Sequence, residues 1–378
     1  SSMHTLFPVT HNLIHLNHAA VGPWPQVTTD AVNAFAEENA QYGSLNYPRW
    51  METEKHLRGN LANLINAASI DEIALVKNTS EGLSFVAYGL QWNHGDNVVG
   101  IEQEFPSNRF VWDSLSNQGV EFRKLDLEQV EDPEQALMSL CDKHTRLIAI
   151  SAVQFASGLR MDLKRIGQFC RDNNILFCVD AIQQIGALEF DVQAIKADFA
   201  IADGHKWMLA AEGLGLFYVR KEVMPQLQVL QYGWHMAEEL GDYTQQGFDI
   251  AHSARRFECG SPNMLGIHAM HASIGLLLST GMHTIEQKIL DHSRYLMQNL
   301  KSIKGVRLIT EETEGRASGI VTFDCASIAA DDLYRQLMQH KILCASRGGG
   351  VRLSPHYYTP RNQIDQALSI IEDLSQQG

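Results

Sequence analysis

The strongest constraint on the fold is an alternation of short apolar runs with helical stretches through the middle of the 378-residue chain. The runs are rich in β-branched and aromatic residues, and most are separated by segments with three- and four-residue apolar spacing. They cover residues 73–76, 97–101, 120–124, 147–151, 175–179, 199–202 and 216–219. This alternation predicts an α/β fold with a mostly parallel, helix-covered sheet of seven strands, in which ligands bind beyond the carboxyl ends of the strands.

The pattern changes near residue 263, after which two long helices are predicted, at 263–280 and 284–302. Thr359-Pro360 begins a last helix, because proline is favoured in the first helical turn. Between them lie shorter strand and helix segments, at 306–309, 319–323, 329–340 and 342–344. The predicted division is a large domain of residues 16–262 and a smaller α+β domain of residues 1–15 and 263–378.

Composition excludes several function classes. The net charge is −14, with 30 basic and 44 acidic side chains, which argues against a nucleic-acid partner or an anionic membrane surface. The six cysteines form no CxxC pair, so free thiols are expected and a zinc site is not. No apolar run approaches the roughly 18 residues of a membrane span. With no signal-peptide pattern at the N-terminus, these features predict a cytoplasmic protein with a small-molecule substrate and no metal.

Two charged residues stand just beyond apolar runs, where a cleft is expected. Lys206 follows the run ending at Ala202, and Asp180 follows the run ending at Val179. A half-buried lysine must become neutral or find a partner, and an imine with an aldehyde such as pyridoxal 5′-phosphate (PLP) is one use for it. A protonated ring nitrogen of PLP would suit the carboxylate of Asp180. A plain surface lysine at a strand end is the alternative for Lys206 alone.

Other residues beyond the runs could surround such a cofactor. Thr79 and Ser80 open a helix, where backbone N–H groups and hydroxyls can cradle a phosphate, although an ordinary helix cap has the same sequence. Phe105 follows the next run and could either stack on a planar ring or fill core. Gln154 offers a neutral amide, or a simple loop hydrogen bond. The Gly348–Gly350 run predicts a turn.

The sequence VDAIQQIG at Asp180, followed by ADGHKW at Lys206, resembles the class V aminotransferase family of fold-type I PLP-dependent enzymes. This family includes cysteine desulfurases, kynureninases and isopenicillin N epimerase-like proteins. The likeness extends over nearly the whole chain, through the segments LNHAAVGP, NTSEGLS, EFPSN, RFECGSPN and GGGVRLSPHYY. It implies the fold-type I architecture of a large and a small domain, PLP as the cofactor, and a homodimer.

The resemblance also implies roles for single residues. Lys206 would be the Schiff-base lysine and Asp180 the partner of the pyridinium nitrogen. Arg352 would bind the substrate carboxylate, a task that suits the two-pronged guanidinium. His18 and Ala19 would contact the substrate.

The remaining contacts implied by the resemblance are with the cofactor. Phe105 would stack on its ring, Gln183 would donate to its hydroxyl, and Ser261 would reach the phosphate of the partner subunit. The full set of implied cofactor contacts comprises Thr79, Ser80, Phe105, Gln154, Asp180, Gln183, Asp203, His205, Lys206 and Ser261.

Two positions depart from the family pattern. Asp203 stands where many relatives have serine, so an anion lies close to the expected phosphate. Cysteine desulfurases carry a nucleophilic cysteine in the loop before the carboxylate-binding arginine, but residues 346–351 contain none. Cys344 lies in a strand-like run, where a small buried thiol is expected. A persulfide-forming desulfurase is therefore disfavoured.

The predicted function is a PLP-dependent reaction at the α-carbon of an amino acid, through a Lys206 imine, of the class V aminotransferase kind. Transamination, elimination and epimerisation share their first steps, so these residues leave the outcome open. A C–S or C–Se lyase is the second possibility and an amino-acid epimerase the third. A non-catalytic PLP-binding protein is the least expected.

Overall fold

The computed structural model describes residues 3–244 and 246–377. Its helices are α1 Met3–Leu6, α2 Gln26–Tyr42, α3 Tyr47–Leu64, α4 Thr79–Gly89, α5 Ser107–Asp113, α6 Pro133–Ser139, α7 Leu163–Asp172, α8 Met264–Thr280, α9 Met282–Lys301, α10 Ala330–Gln339 and α11 Arg361–Gln376. Its strands are β1 Ile14–His15, β2 Ile73–Val76, β3 Asn97–Ile101, β4 Glu121–Leu125, β5 Thr145–Ser151, β6 Leu176–Asp180, β7 Phe199–Asp203, β8 Gly215–Val219, β9 Val306–Leu308, β10 Val321–Cys325, β11 Ile342–Leu343, β12 Ala345–Arg347 and β13 Gly350–Leu353.

The predicted large sheet is present, with seven strands in the order β2-β8-β7-β6-β5-β3-β4. The neighbours from β7 to β4 pair in parallel, and only β8 runs against both of its neighbours. Strands buried on both faces need continuous apolar runs, which explains segments such as Leu176–Val179. The α/β fold class, with a mostly parallel seven-stranded sheet, is confirmed.

The topology places several strand ends along one edge of this sheet. Strands β3, β5, β6 and β7 run the same way, and β2 shares their direction because two antiparallel pairings separate it from β7. The residues that follow these five strands therefore meet at a single edge. Asp180 ends β6, Asp203 ends β7 and Thr79 begins α4 just after β2.

A second sheet lies later in the chain, with four strands in the order β12-β13-β10-β9. All its pairings are antiparallel, and a hairpin through the predicted glycine turn joins β12 to β13. Gly348 and Gly349 have φ of 64° and 81°, the left-handed region that favours glycine. The separate strand pair β1–β11 joins the N-terminal segment to this region.

Helix α8 packs with the large sheet. Its buried residues Ile267, Met270 and Ile274 belong to the same apolar cluster as the strands of that sheet. A separate cluster surrounds the four-stranded sheet and includes Leu296 of α9 and Ile371 of α11. The division into residues 16–262 and the remainder stays a prediction, and α8 packs with the large sheet although it follows residue 262.

Within residues 3–244 and 246–377, no single helix is long and apolar enough to cross a bilayer. Only α8 and α9 taken together meet the length and composition criteria, with a bend of 83° between them.

Candidate active site

A cavity of about 290 Å³ lies at the carboxyl edge of the large sheet. Residues predicted for the site line most of it: Ala19, Thr79, Ser80, Phe105, Asp180, Gln183, Asp203, His205, Lys206 and Arg352. The structure adds lining residues that were not predicted: Ala20, Ser107, Ser151, Val153, Phe155, Ile182 and Arg347. The strand-end residues thus converge as the parallel topology requires.

Hydrogen bonds to the backbone carbonyls of both neighbours of Lys206 hold the turn that carries it. The N–H of Gly22 donates to the carbonyl of His205 over 2.8 Å. The carbonyl of Trp207 accepts from Nε2 of His356 over 2.9 Å, and Nδ1 of His356 accepts from the backbone of Tyr357, which fixes the tautomer. Lys206 is therefore anchored to both the N-terminal segment and the segment after β13.

Burial changes the protonation of the two central groups. It lowers the pKa of Lys206, and the positive charge of Arg352 lowers it further. Burial and the nearby Glu104 raise the pKa of Asp180 to about 7. Lys206 thus gives up its proton more readily than an exposed lysine. A cationic hydrogen-bond donor would stabilise the ionised form of Asp180. These pKa shifts suit a neutral amine at Lys206 and a carboxylate at Asp180 that accepts a hydrogen bond from a protonated ring nitrogen.

Asp203, which departs from the family pattern, lies at the N-terminus of α4. Its Oδ1 accepts the backbone N–H of Thr79 over 2.7 Å, and its Oδ2 lies 3.9 Å from Nδ1 of His205. Burial raises the pKa of Asp203, and His205 opposes that rise. The carboxylate is therefore held by one helix N–H and faces an imidazole, while the hydroxyl of Thr79 has no partner.

Glu104 is a buried carboxylate that sequence reasoning missed as a functional group. It accepts from Ser151 through the backbone N–H at 3.0 Å and the hydroxyl at 2.6 Å, from Asn108 at 2.6 Å, and from Gln154 at 2.7 Å. Burial raises its pKa. The strand-end argument used for Asp180 would have found Glu104, because it follows β3. It orients the side chains between β3 and β5.

The aromatic part of the cavity matches the predicted position of Phe105. Nζ of Lys206 lies 6.0 Å from the centroid of the Phe105 ring, which is 48% exposed. A second ring, Phe155, meets it edge-on with centroids 5.3 Å apart. The backbone carbonyl of Phe155 also accepts from Arg352 over 2.9 Å. A planar ring therefore has an open aromatic face beside Lys206.

Three predicted residues do not line the cavity. Gln154 donates to Glu104 instead. His18 is fully buried, with Nδ1 bonded to the carbonyl of Ser354 at 2.8 Å and Nε2 to the hydroxyl of Tyr358 at 2.6 Å. Both ring nitrogens are occupied, so the structure corrects the expected substrate contact of His18. Ser261 lies in a separate surface hollow.

Gln183 lines the cavity, but its amide is already engaged. Nε2 donates to the carbonyl of Ala19 over 3.0 Å, and Oε1 accepts from the indole of Trp207 over 2.8 Å. One N–H of the amide therefore remains for the predicted bond to a ring hydroxyl.

Unpaired polar atoms show that the cavity suits PLP. Within residues 3–244 and 246–377, two atoms of the cavity lining, Thr79 Oγ1 and Arg352 Nε, are buried without a hydrogen-bond partner, although buried polar atoms are normally paired. Thr79 also lies at the N-terminus of an eleven-residue helix, which attracts anions. With an aromatic face, a lysine and a carboxylate beside these atoms, the cavity offers partners for every part of the cofactor.

Comparison with known proteins identifies the family. The sequence pattern described as Aminotransferase class-V matches residues 14–366. The chain belongs to this family. A probable cysteine desulfurase from Methanothermobacter thermautotrophicus is 30% identical, over 98% of this chain and 97% of that protein. The predicted family is confirmed, and with it a PLP-dependent enzyme.

Solved structures show the same fold. The apo structure of a cysteine desulfurase from Thermococcus onnurineus NA1 has a TM-score of 0.89 at 23% identity, covering 100% of this chain and 98% of that one. A mutant of the protein C-DES with glycine covalently linked to its PLP cofactor has a TM-score of 0.90 at 21% identity, covering 98% and 99%. At these identities the likeness supports the fold of this class V protein.

Proposed function

We propose that this class V enzyme uses PLP to act at the α-carbon of an amino acid, in a reaction of the class V aminotransferase kind. The observation that carries the proposal is the meeting of Lys206, Asp180 and Arg352 in one cavity. Their pKa shifts support the roles: burial lowers the pKa of Lys206 and raises the pKa of Asp180 to about 7. Perturbed groups that converge in a cavity are typical of active sites.

When bound, PLP supplies a ring that accepts the electron pair left on the substrate α-carbon. Lys206 would provide the amine that holds the cofactor, and its Nζ, when neutral, would take the α-proton and return it. Asp180 holds a proton on the ring nitrogen. Arg352 would bind the α-carboxylate and so orient the substrate in the cavity, a positioning effect.

The phosphate would lie at the N-terminus of α4. Thr79 and Ser80 contribute hydroxyls there, and His205 contributes an imidazole N–H. Asp203 accepts the backbone N–H of Thr79 and faces His205, so its carboxylate is held by the helix rather than left free beside the phosphate. Phe105 would stack on the ring, and the free amide N–H of Gln183 would donate to its hydroxyl.

A C–S lyase reaction is the second candidate, since a probable cysteine desulfurase is similar to this chain over nearly its whole length. No cysteine of residues 3–244 and 246–377 lines the cavity. Burial raises the pKa of Cys344, the cysteine next to the arginine hairpin, to about 12, so its thiol is a poor nucleophile at neutral pH. Such a lyase would release its sulfur product without first attaching it to this chain.

The homodimer and the cytoplasmic location also belong to this proposal. Ser261 is exposed in a surface hollow beside Lys77 and Glu81, near the start of α4, so it is accessible to a second copy. All six cysteines are free thiols, which fits the reducing compartment behind the prediction of a cytoplasmic protein.

One labelling experiment tests the cofactor assignment. Borohydride reduction of the PLP-loaded protein should add a phosphopyridoxyl group to the peptide that contains Lys206, detected by mass spectrometry. The Lys206→Ala protein should lose this label, and Lys143→Ala, at an exposed lysine, should keep it. A label that persists in Lys206→Ala would refute the assignment.

A second experiment identifies the reaction. Each amino acid of a complete panel is incubated with the enzyme in D2O, and proton NMR follows the loss of the α-hydrogen signal. Formation of the keto acid that retains the substrate side chain would support transamination, release of sulfide with pyruvate or alanine a lyase, and racemisation an epimerase. Absence of exchange from every amino acid would contradict all three reactions.

A further inference from the structure

The hairpin β12–β13 carries two arginines on one face. In its register Ala345 pairs with Arg352, and Arg347 pairs with Gly350. Residues two positions apart on a strand share a face, so Arg347 lies diagonally across from Arg352. Diagonal neighbours in an antiparallel pair are roughly 7–8 Å apart. Both side chains line the cavity.

Neither guanidinium has a carboxylate partner within 4 Å among residues 3–244 and 246–377. Arg352 is 2% exposed, and in the described part of the chain it bonds only to the carbonyl of Phe155 and leaves its Nε unpaired. Arg347 is exposed and bonds to the carbonyl of Ser346 over 3.3 Å. Burial and the charge of Arg347 lower the pKa of Arg352 to about 10. The two cations thus repel each other at the cavity wall, and no carboxylate of the described residues lies close enough to neutralise them.

The other charges of the site have assigned partners. Asp203 accepts from Thr79 and faces His205, and in the proposed function Asp180 holds the ring nitrogen. The phosphate-binding hydroxyls belong to α4, a different element from the hairpin. Arg352 takes the α-carboxylate of the substrate, so one guanidinium is left over. A second anionic group on the substrate would occupy it and relieve the repulsion.

We propose that Arg347 determines specificity by binding an acidic group on the substrate side chain. The preferred substrates are then amino acids such as aspartate, glutamate or cysteine sulfinate, in which a short side chain separates two acidic groups by a distance that the diagonal arginines can span. The proposal rests on the proposed function, because it assigns the α-carboxylate to Arg352.

A binding comparison without turnover tests it first. Isothermal titration calorimetry of the PLP-loaded enzyme compares glutarate, a dianion, with butyrate, a monoanion. We expect glutarate to bind at least about tenfold more tightly, in line with the strength of a charge-assisted hydrogen bond. Arg347→Gln should weaken glutarate binding about tenfold or more and change butyrate binding less than about twofold. Arg352→Gln should weaken both.

The matched control is Arg294→Gln, since Arg294 is an exposed arginine paired with Asp291 far from the hairpin in sequence. It should leave both affinities unchanged. Equal affinities of the wild-type enzyme for glutarate and butyrate would overturn the proposal. So would an Arg347→Gln protein that binds both as tightly as wild type, or that loses both equally.

Turnover gives an independent comparison, through kcat/KM for α-hydrogen exchange. The wild-type enzyme should prefer acidic amino acids over alanine and cysteine, and Arg347→Gln should lose that preference while retaining exchange from alanine. A wild-type preference for neutral amino acids would overturn the role of Arg347. If no amino acid undergoes exchange, the proposed function fails, and the glutarate and butyrate affinities still decide whether Arg347 binds a second anionic group.

Discussion

Gly22 packs against the backbone of Lys206, so a single added methyl group there should displace the lysine proposed to be catalytic. A Cβ atom added to Gly22 would lie 2.3 Å from the backbone carbonyl oxygen of Lys206 and 3.0 Å from Cδ2 of Leu209. Ordinary van der Waals contact begins at 3.4 Å, so the two backbones must separate by about 1 Å. Leu209 already has a positive φ of 61°, so this turn has little freedom to move elsewhere.

The shift should reduce activity more than stability. Overpacking of this kind costs roughly 1–3 kcal/mol of folding free energy. A displacement of about 1 Å at a reacting group can lower the rate about 100-fold. We therefore expect Gly22→Ala to fold and bind PLP, and to lose about two orders of magnitude in kcat/KM for α-hydrogen exchange, measured by proton NMR in D2O.

Gly275→Ala is the matched control. Gly275 lies in the interior of α8, and an added Cβ would meet no atom within 4 Å. This change should stabilise the protein by roughly 0.5–1 kcal/mol, because alanine favours the helix, and leave the exchange rate unchanged. A Gly22→Ala enzyme with kcat/KM within about threefold of wild type would refute the argument that this contact positions Lys206.

Three further predictions follow from the buried polar groups. The folded-state pKa of Asp180, about 7, lies above its ordinary value of 3.8, so its contribution to the stability of the cofactor-free protein is lost as pH rises towards 7. Between the two pKa values, the free energy of unfolding of wild type, measured with urea, should fall relative to that of Asp180→Asn by about 1.4 kcal/mol per pH unit. The variant is the reference because buried histidines such as His356, with a pKa of about 4, change stability in the opposite sense. A difference between the two proteins that does not depend on pH would contradict the prediction. Glu104→Gln should lower the pKa of Asp180, measured by carbon-13 NMR titration, because it removes the nearby charge that raises this pKa. Gln154 can turn its unpaired Oε1 to the new amide, so the hydrogen bond between the two side chains is kept. An unchanged pKa would rule out Glu104 as a cause. His356→Ala should destabilise the protein by roughly 1–3 kcal/mol and slow exchange, because the Trp207 carbonyl loses its donor, whereas His340→Ala, at an exposed histidine, should do neither.

The large sheet could be predicted because parallel strands buried on both faces need uninterrupted apolar runs. That rule located β2 and β3 at their observed residues and placed Asp180 and Lys206 at one edge. The hairpin β12–β13 could not be found in this way. Its strands have three and four residues, too few to show a period, and only the glycine turn was evident. Arg347 was missed for that reason.

The direction of a side chain was harder to predict than its neighbourhood. Gln154 and His18 were expected at the site and do lie near it, but each is turned away by a partner distant in sequence. The amide of Gln154 is hydrogen-bonded to Glu104, and the ring of His18 is hydrogen-bonded to Ser354 and Tyr358. Such partners are set by tertiary packing, and no local pattern records them. The anchoring of the Trp207 carbonyl by His356 was hidden for the same reason.

The two sides of the cavity are built by different sheets, which affects how the substrate preference of such an enzyme can change. Lys206, Asp180 and the hydroxyls at the start of α4 lie at the edge of the seven-stranded sheet, while Arg347 and Arg352 lie on a hairpin of the four-stranded sheet. One inserted or deleted residue in the Gly348-Gly349 turn would alter the register between the two guanidiniums without touching a strand of the large sheet. Changes in this turn can therefore alter the preferred amino acid while the residues proposed to act at the α-carbon stay unchanged.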